Sequence, residues 1–523
     1  MPTATRCQRR SVPRPRPIHK PRGVLQPRVQ RVGPEHFGIL SVDCAKARSK
    51  WMLSDFYGTV LIPPTELVHS RAHFEMAVLL VREAIARHGL KDLVVAIEQT
   101  GAYHQPVKRA FRAAGFECRI VHPMASKAFR QVAHPGIKTD DTDLVGIFGA
   151  AANGFGLLEP VLDPLAAKLR LWVRHRRDLV EKRSAVCCQL KEHWQATLPG
   201  FAALFDDLWS TPAGLTIARH FPSPEAIQQA GLDGLRAVLH AAGQPGRSRT
   251  LERILAWARI APAADPEASL RGRLALALDD DRLQKTLEIL AADGEIASLL
   301  VQTPYVLLMA IPGINVASCG EFAGEMGPIS HYASAKAITG RAGLFPSRYQ
   351  SDQVDFPNGP LVRCANRRLR AALLGIADNL LKCNHYFQGL ADRWKTMGKD
   401  PRDTHVKVAS RFSRLAYLIV AGKQIVPHPC LQPRGYILDK LIAFHQKHQT
   451  TPQQMMTDLN QAVAQLPTEQ HSLEAVPLIQ RLRETHAARR RGPQPIGNIL
   501  PLLLARLGVG QVKSSNTGVR DSS

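Results

Sequence analysis

The alternation of apolar and polar positions changes character along the 523-residue chain. In the first part short apolar runs dominate. Phe37-Gly-Ile-Leu-Ser-Val-Asp43 reads as a buried strand that ends in a carboxylate, and residues 50–54 and 58–62 read as two more strands joined by turns. Residues 73–88 have helical spacing, with Phe74, Ala77, Val78, Val81, Ala84 and Ile85 on one face. Residues 93–97 form a β-rich run that leads directly into Glu98, and a helix near 104–114 and a strand over 117–121 follow. Three antiparallel-looking strands, then alternating helix and strand, predict a mixed α/β sheet.

After Pro164 the period becomes helical. Leu165, Leu169, Trp172, Leu179, Val186, Leu190 and Trp194 follow steps of three and four, with Arg170, Arg174, Arg176, Arg177, Lys182, Arg183 and Lys191 between them. This predicts a long amphipathic helix with a basic face, either a coiled-coil arm or a helix packed within the chain. Helical segments continue to about residue 300, broken at 222–224 and 243–246. The expected organisation is a disordered basic arm (1–34), an α/β domain (35–160), a helical or coiled-coil linker (161–300), a mainly helical C-terminal domain (301–390) and a helical extension ending in a disordered tail (391–523).

Charge narrows the function. With 68 Lys+Arg against 44 Asp+Glu the formal net charge is +24, and the pI is near 10.0, which points to a polyanionic partner, nucleic acid first. A 45% hydrophobic fraction excludes wholesale disorder. Residues 1–34 are rich in Arg and Pro and carry no carboxylate before Glu35, so the arm either grips phosphates or is a dispensable upstream extension. Nine cysteines without a C-x-x-C fit a reducing compartment, and no spacing of Cys or His marks a zinc site. The N-terminus lacks the apolar core of a signal peptide. The longest uncharged stretch, 297–320, contains Gln302, Pro304, Pro312, Gly313 and Asn315, so it reads as a core segment broken by a turn. A soluble protein with no membrane partner is expected.

Against this basic background the placement of four acids is informative. Asp43 and Glu98 end strands. Asp140 and Asp143 lie in Lys138-Thr-Asp-Asp-Thr-Asp143, a plausible helix start, where i, i+3 spacing puts both on one face and leaves Asp141 elsewhere. Gathered together, four carboxylates repel one another unless cations neutralise them. Mg²⁺ (or Mn²⁺) accepts oxygen ligands and bridges carboxylates to phosphate oxygens. Singly, each acid has a structural reading: a turn cap, a surface ion pair, an N-cap. Their order, strand-Asp, strand-Glu, helix-Asp-x-x-Asp, is that of a ribonuclease-H-like fold.

These motifs resemble the insertion sequence 110 family of transposases, DEDD-type recombinases with a RuvC-like N-terminal domain. Ser41-Val-Asp43-Cys-Ala-Lys46 resembles the family's first-strand motif, and Glu98-Gln-Thr-Gly-Ala-Tyr103 its E-x-T-G-x-Y. His122-Pro123 with Lys127 resembles N-P-x-x-x-K, with His for Asn. Residues 138–143 resemble K-T-D-x-x-D. The resemblance implies that Asp43, Glu98, Asp140 and Asp143 are a metal-binding tetrad and that Asp141 is a bystander.

Farther along, Met309-Ala-Ile-Pro-Gly313-Ile-Asn-Val-Ala317 resembles a helix-hairpin-helix whose turn amides hold a phosphate, with Asn315 in place of a second Gly and expected to tolerate a left-handed backbone. Segment 341–352, Arg341-Ala-Gly-Leu-Phe-Pro-Ser-Arg348-Tyr-Gln-Ser351-Asp352, is similar to the family's A-G-L-x-P-x-x-x-Q-S-G, with Asp352 for Gly. Physical chemistry alone does not choose Ser351 over Ser347; the resemblance implies that Ser351 is the nucleophile. Arg363, Arg367 and Arg368 open a basic helix like the family's G-N-x-x-L-R region. Lys138, Gly313, Arg341, Arg348, Arg363, Arg367 and Arg368 are the expected nucleic-acid contacts.

The resemblance implies attack by Ser351 on DNA at element ends and target, a phosphoserine intermediate, a structured guide RNA, a homo-oligomer (dimer or tetramer) and a bacterial cytoplasmic, nucleoid-associated location. Because Ser351 is distant from the tetrad in sequence, the site has to be assembled by folding or between subunits. Three alternatives stay open: a Holliday-junction-type metal-dependent endonuclease that needs no Ser351, a catalytically silent nucleic-acid-binding derivative, and a structural basic protein.

Overall fold

The computed structural model describes residues 22–159, 162–351, 354–356 and 359–467, and it divides the chain into two units, Met1–Val161 and Leu162–Ser523. In the first unit, helix α1 (Gln26–Val32) precedes strands β1 (Phe37–Cys44), β2 (Arg48–Asp55) and β3 (Val60–Val68) and helix α2 (Arg71–His88). Strand β4 (Asp92–Glu98), helix α3 (His104–Ala113), strand β5 (Glu117–Val121), helices α4 (Pro123–Ala133) and α5 (Asp140–Ala152) and strand β6 (Gly156–Leu158) follow. The strands form one sheet in the order β3-β2-β1-β4-β5-β6. The first three are antiparallel neighbours, β1, β4 and β5 run parallel, and β6 closes the edge antiparallel. The mixed α/β sheet expected from the apolar runs is present.

Strand periodicity sorts the core into two faces. Leu40, Val42, Val95 and Ile97 point to one side, with residues of α2 and α3. Phe37, Ile39, Val94 and Ala96 point to the other, with Ile147, Ala150 and Ala151 of α5.

Of the basic arm expected over 1–34, residues 1–21 lie outside the described residues, and Gln26–Val32 form helix α1. Leu25 and Val29 are buried, each worth roughly 1.5–3 kcal/mol. Pro27 sits in the first turn of α1, where its missing N–H costs nothing. Arg28 is not a free phosphate grip: its guanidinium donates to Asp92 (2.8 and 2.5 Å) and to Glu117 (2.7 Å).

The second unit is mostly helical, in keeping with an α/β-plus-α chain. Its long helices are α6 (Pro164–Thr197) and α10 (Ala268–Leu300), of 34 and 33 residues, each about 50 Å long. Between them come α7 (Pro212–His220), α8 (Pro224–Ala241) and α9 (Ser248–Ile260). Afterwards come α11 (Val316–Met326), α12 (Ala335–Ala342), the hairpin β7 (Tyr349–Ser351) and β8 (Val354–Phe356), α13 (Arg367–Cys383), α14 (His385–Thr396), α15 (Pro401–Gly422), α16 (Gly435–Lys447) and α17 (Pro452–Gln465).

Helices α6 and α10 run antiparallel. Leu169 and Val173 share a core with Ile296 and Leu300, while Leu190 and Trp194 share another with Ala275. Arg176 donates to Asp293 between them (2.5 Å). The long helix therefore finds its apolar partner within the chain. The N-terminal part of its basic face is spent internally: Arg170 donates to the Gly324 carbonyl (2.8 Å), Arg174 pairs with Glu325, and Arg176 pairs with Asp293 and Glu321.

No break in packing falls at the boundary expected near 390. Phe322 of α11 meets Phe412 of α15 edge-on, with centroids 5.3 Å apart, and Ile437 and Leu459 belong to the same core as Val306 and Leu373. The tail expected at the C-terminus lies outside the described residues. Among the described residues no helix is long and apolar enough to cross a membrane.

Candidate active site

Register brings the first two acids together. In the parallel pair β1/β4, Val42 stands opposite Ile97, so Asp43 and Glu98 each lie one residue beyond the same rung. Alternation puts both on the face shared with Phe37, Ile39, Val94 and Ala96, which is the face covered by α5. Thr139 caps α5 by accepting from Thr142 N–H (3.2 Å), and Thr142 returns the bond to Thr139 N–H (2.9 Å), a reciprocal capping box. Asp140, Asp141 and Asp143 occupy the first turn, where the helix dipole favours negative charge.

Asp43 reports the convergence. Burial first, and then the charges of Glu98, Asp143 and Asp140, push its carboxyl up to about 6, and it is in hydrogen-bond contact with Glu98. Asp141 does not contribute. It pairs instead with Lys50 (2.6 Å), the residue directly across the β1/β2 rung from Asp43. Asp43 thus feels the other three acids singled out by their order in the sequence, and Asp141 is neutralised separately.

Helix α4 supplies two contacts that the sequence reading missed. Ser126 donates to Glu98, and Arg130 pairs with Asp143. Four residues apart, they lie on one helix face. The resemblance drew attention to Lys127, which is exposed, whereas the neighbouring face of the same helix meets the acids. Gly146 makes this approach possible: a Cβ there would lie 2.5 Å from the Ser126 carbonyl oxygen and 2.9 Å from Arg130 Cβ. His122, in place of Asn, still caps α4, its Nδ1 accepting from Met124 N–H (3.2 Å).

The donor set is all oxygen and includes a carboxyl raised to about 6 by burial and its acidic neighbours, which fits a hard divalent ion such as Mg²⁺ or Mn²⁺. Among the described residues no three His, Cys, Asp or Glu already stand in metal-ligand geometry. With Asp143 on Arg130 and Glu98 on Ser126, the cluster is gathered but not closed around a point.

In the second unit the two candidate serines differ sharply. Ser347 is tied down: its hydroxyl and its N–H both reach the Pro360 carbonyl (2.9 Å each), and its own carbonyl accepts from Gly359 N–H (2.9 Å). Ser351 ends β7 and is exposed, paired through its backbone with Val354. Asp352 lies outside the described residues. Arg348 makes a two-pronged ion pair with Asp355 across the hairpin (3.0 and 2.6 Å), so its charge is engaged.

Other expected nucleic-acid contacts fall in different settings. Lys138, Arg363, Arg367 and Arg368 are exposed, Arg368 standing 3.9 Å from Asp178. Arg341 is half-buried, donating to the Tyr332 hydroxyl (2.6 Å) and lying over its ring. Gly313 has φ +96° and packs on α13; a Cβ would lie 2.9 Å from the Asn379 carbonyl oxygen. The carbonyls of this turn are taken by Lys440, whose Nζ donates to Met309, Ile311 and Ile314 (2.8, 2.8 and 2.7 Å). Asn315 does not adopt the left-handed backbone expected of it: at φ −116°, ψ 179° it is extended and caps α11, its Oδ1 accepting from Ser318 N–H (2.9 Å). The second Gly is replaced by a capping residue, so no positive φ is needed there.

Comparison with known proteins covers both halves. Residues 40–199 match the IS110 DEDD model, described as a transposase, and residues 305–391 match the model described as Transposase IS116/IS110/IS902 family. No curated protein matches the chain. Carrying these two segments in N- then C-terminal order, the chain belongs to the IS110 family of transposases and is a DNA transposase.

Proposed function

We propose that this transposase cuts and rejoins DNA at insertion-sequence ends and target through a phosphoserine intermediate, and that its first unit is a ribonuclease-H-like, RuvC-like catalytic domain. The observation that carries the reading is the raised carboxyl of Asp43 at a strand end, which feels the charges of Glu98 on the neighbouring strand and of Asp140 and Asp143 at the start of α5, while Asp141 is paired with Lys50. Divalent metal dependence follows from the family, and Asp43, Glu98, Asp140 and Asp143 would hold the ion, Mg²⁺ or Mn²⁺. Such an ion, when bound, stabilises negative charge on phosphoryl oxygens.

Ser351 attacks the phosphorus through Oγ. The Oγ–P bond forms as the P–O bond to one sugar oxygen breaks; the hydroxyl proton is lost to solvent or a base, and the leaving oxygen takes up a proton. Rejoining reverses this with a new sugar hydroxyl, so the ester energy is kept rather than lost to water. Exposure favours Ser351 over Ser347, whose hydroxyl already holds the Pro360 carbonyl. A structured RNA from the element supplies sequence choice by base pairing, the protein works as a homo-oligomer, and it acts in the bacterial cytoplasm at the nucleoid; these parts rest on the family resemblance.

A trapping assay tests the reading. Protein, Mg²⁺, labelled DNA carrying joined element ends, and RNA transcribed from the adjacent element sequence are mixed and resolved under denaturing conditions. Label should stay covalently on the wild-type protein and be lost in Ser351→Ala and in Asp43→Ala. Cleavage without an adduct, unchanged in Ser351→Ala, would leave a metal-dependent nuclease and end the serine mechanism.

A further inference from the structure

Residues 392–423 lie beyond the second family match and contain eight Lys or Arg against three Asp. Helix α15 is anchored by Val408, Ala409, Phe412, Leu415, Ala416 and Ile419, all buried. Its opposite face is therefore fixed in place, and at i, i+4 and i+7 that face carries Lys407, Arg411 and Arg414, about 6 and 10.5 Å along the axis. Arg411 and Arg414 are exposed and Lys407 is half-buried.

These cations are unlike Arg174 and Arg176 of α6, which are paired with buried acids. Among the described residues none of the three has a carboxylate at ion-pair distance, although Asp403 lies one turn earlier on the same helix. Two of them are held by an aromatic ring instead: Lys407 Nζ and the Arg411 guanidinium lie 5.6 and 5.5 Å from the centroid of Trp394 on α14. A cation over an indole ring keeps its charge while losing freedom, so part of the ordering cost of meeting an anion is already met. A row of unneutralised, pre-ordered cations on a rigid helix is the chemistry of backbone phosphate recognition.

We propose that this face of α15, backed by Trp394, is a second DNA-holding surface that clamps the phosphate backbone of duplex DNA without reading its sequence. The inference rests on duplex DNA being the substrate of this transposase, and it adds a surface outside both matched segments. It assigns the region to grip rather than chemistry. Ser351 and the carboxylates are not part of it.

The test is binding, not turnover. The full chain is titrated against a random-sequence duplex of about 30 base pairs, without divalent ion, over a salt series. Each lost phosphate contact lowers the slope of log Kobs against log salt by about 0.9, so Lys407→Gln/Arg411→Gln/Arg414→Gln should flatten it by about 2–3. At moderate salt, affinity should fall on the order of tenfold or more. Arg414→Gln alone, at an exposed position that leaves the fold intact, should lower the slope by about 1. Trp394→Leu should weaken affinity a few-fold while keeping the slope, since the charges remain.

An unchanged slope in both the triple and the single variant would overturn the proposal. So would a slope that changes only for a structured RNA hairpin, which would give the surface to RNA. Failure of the serine mechanism would appear differently: no covalent adduct from the wild type, with the slope changes intact.

Discussion

Asp43 and Glu325 are both largely buried carboxylates, one in each unit, and they are pushed in opposite directions. Burial and three neighbouring acids raise Asp43 to about 6. Burial also pushes Glu325 up, but the Arg174 guanidinium, donating to both its oxygens (2.8 and 3.0 Å), and Asn366 overcome it and hold the carboxyl below the usual range. The difference separates a carboxylate neutralised by its neighbours from one crowded by like charges. Glu325 ties α6 and α11 to the cap of α13, the helix that follows the serine hairpin; Asp43 is held at a cost that a cation would remove.

The largest expected effect breaks the structural member of the pair. Glu325→Ala leaves Arg174 without its carboxylate partner, and should destabilise the chain by about 3 kcal/mol in urea unfolding, the lower end for a buried pair because Arg174 reaches solvent. A loss below about 1 kcal/mol would mean that Glu325 is as dispensable to the fold as a surface acid.

The crowded member, Asp43, should respond with the opposite sign. Between about pH 4 and about 6 the folded chain keeps a proton on Asp43 that the unfolded chain has released, so this group's contribution falls as pH rises through that window and stays unfavourable above it. Asp43→Asn should therefore raise the stability of the metal-free protein at pH 7.5 by about 1–2 kcal/mol, an advantage absent near pH 4, while abolishing transposition. Mn²⁺ or Mg²⁺ should raise the melting temperature of wild type and not of Asp43→Asn. Glu325 runs the other way: its lowered carboxyl adds stability above the ordinary carboxylate range, and that contribution is lost as pH falls below it.

Smaller changes sharpen the contrast on the serine side. Asn315→Ala removes the α11 cap and should cost about 1 kcal/mol, measurable in the same unfolding curves. Asp355→Ala should leave the melting curve in place, because the pair with Arg348 is exposed, yet lower adduct formation by loosening a hairpin of three-residue strands. A shifted melting curve would show the hairpin to be part of the core.

Much of the first unit was legible because its strands are short apolar runs and its acids sit at their ends, so the pattern that predicts the sheet also places Asp43 and Glu98. Alternation along a strand then fixes which helices face them. What was not legible depended on partners far away in the chain. Arg28 looks like any arm arginine until Asp92 and Glu117 are beside it. The pairing of α6 with α10 joins residues more than a hundred positions apart, such as Arg176 and Asp293. Ser126 and Arg130 were hidden behind the Lys127 motif on another face of α4. Asn315 was read for its backbone tolerance when its side chain does the work. A boundary is expected near 390, yet Val408 and Phe412 beyond it fill the same interior as Val306.

The antiparallel helices α6 and α10 also act as a ruler. Leu169 belongs to the core that carries the serine hairpin's neighbours and Trp194 to the core of α7–α9, so about 38 Å of helix separates them. That is close to one turn of B-form duplex. Because the spacing is a residue count, it is inherited discretely. Removing seven residues from both helices shortens it by about 10 Å and keeps the same faces together. Removing two from only one swings everything beyond the cut by about 200°, so related chains should vary in this length only in matched steps.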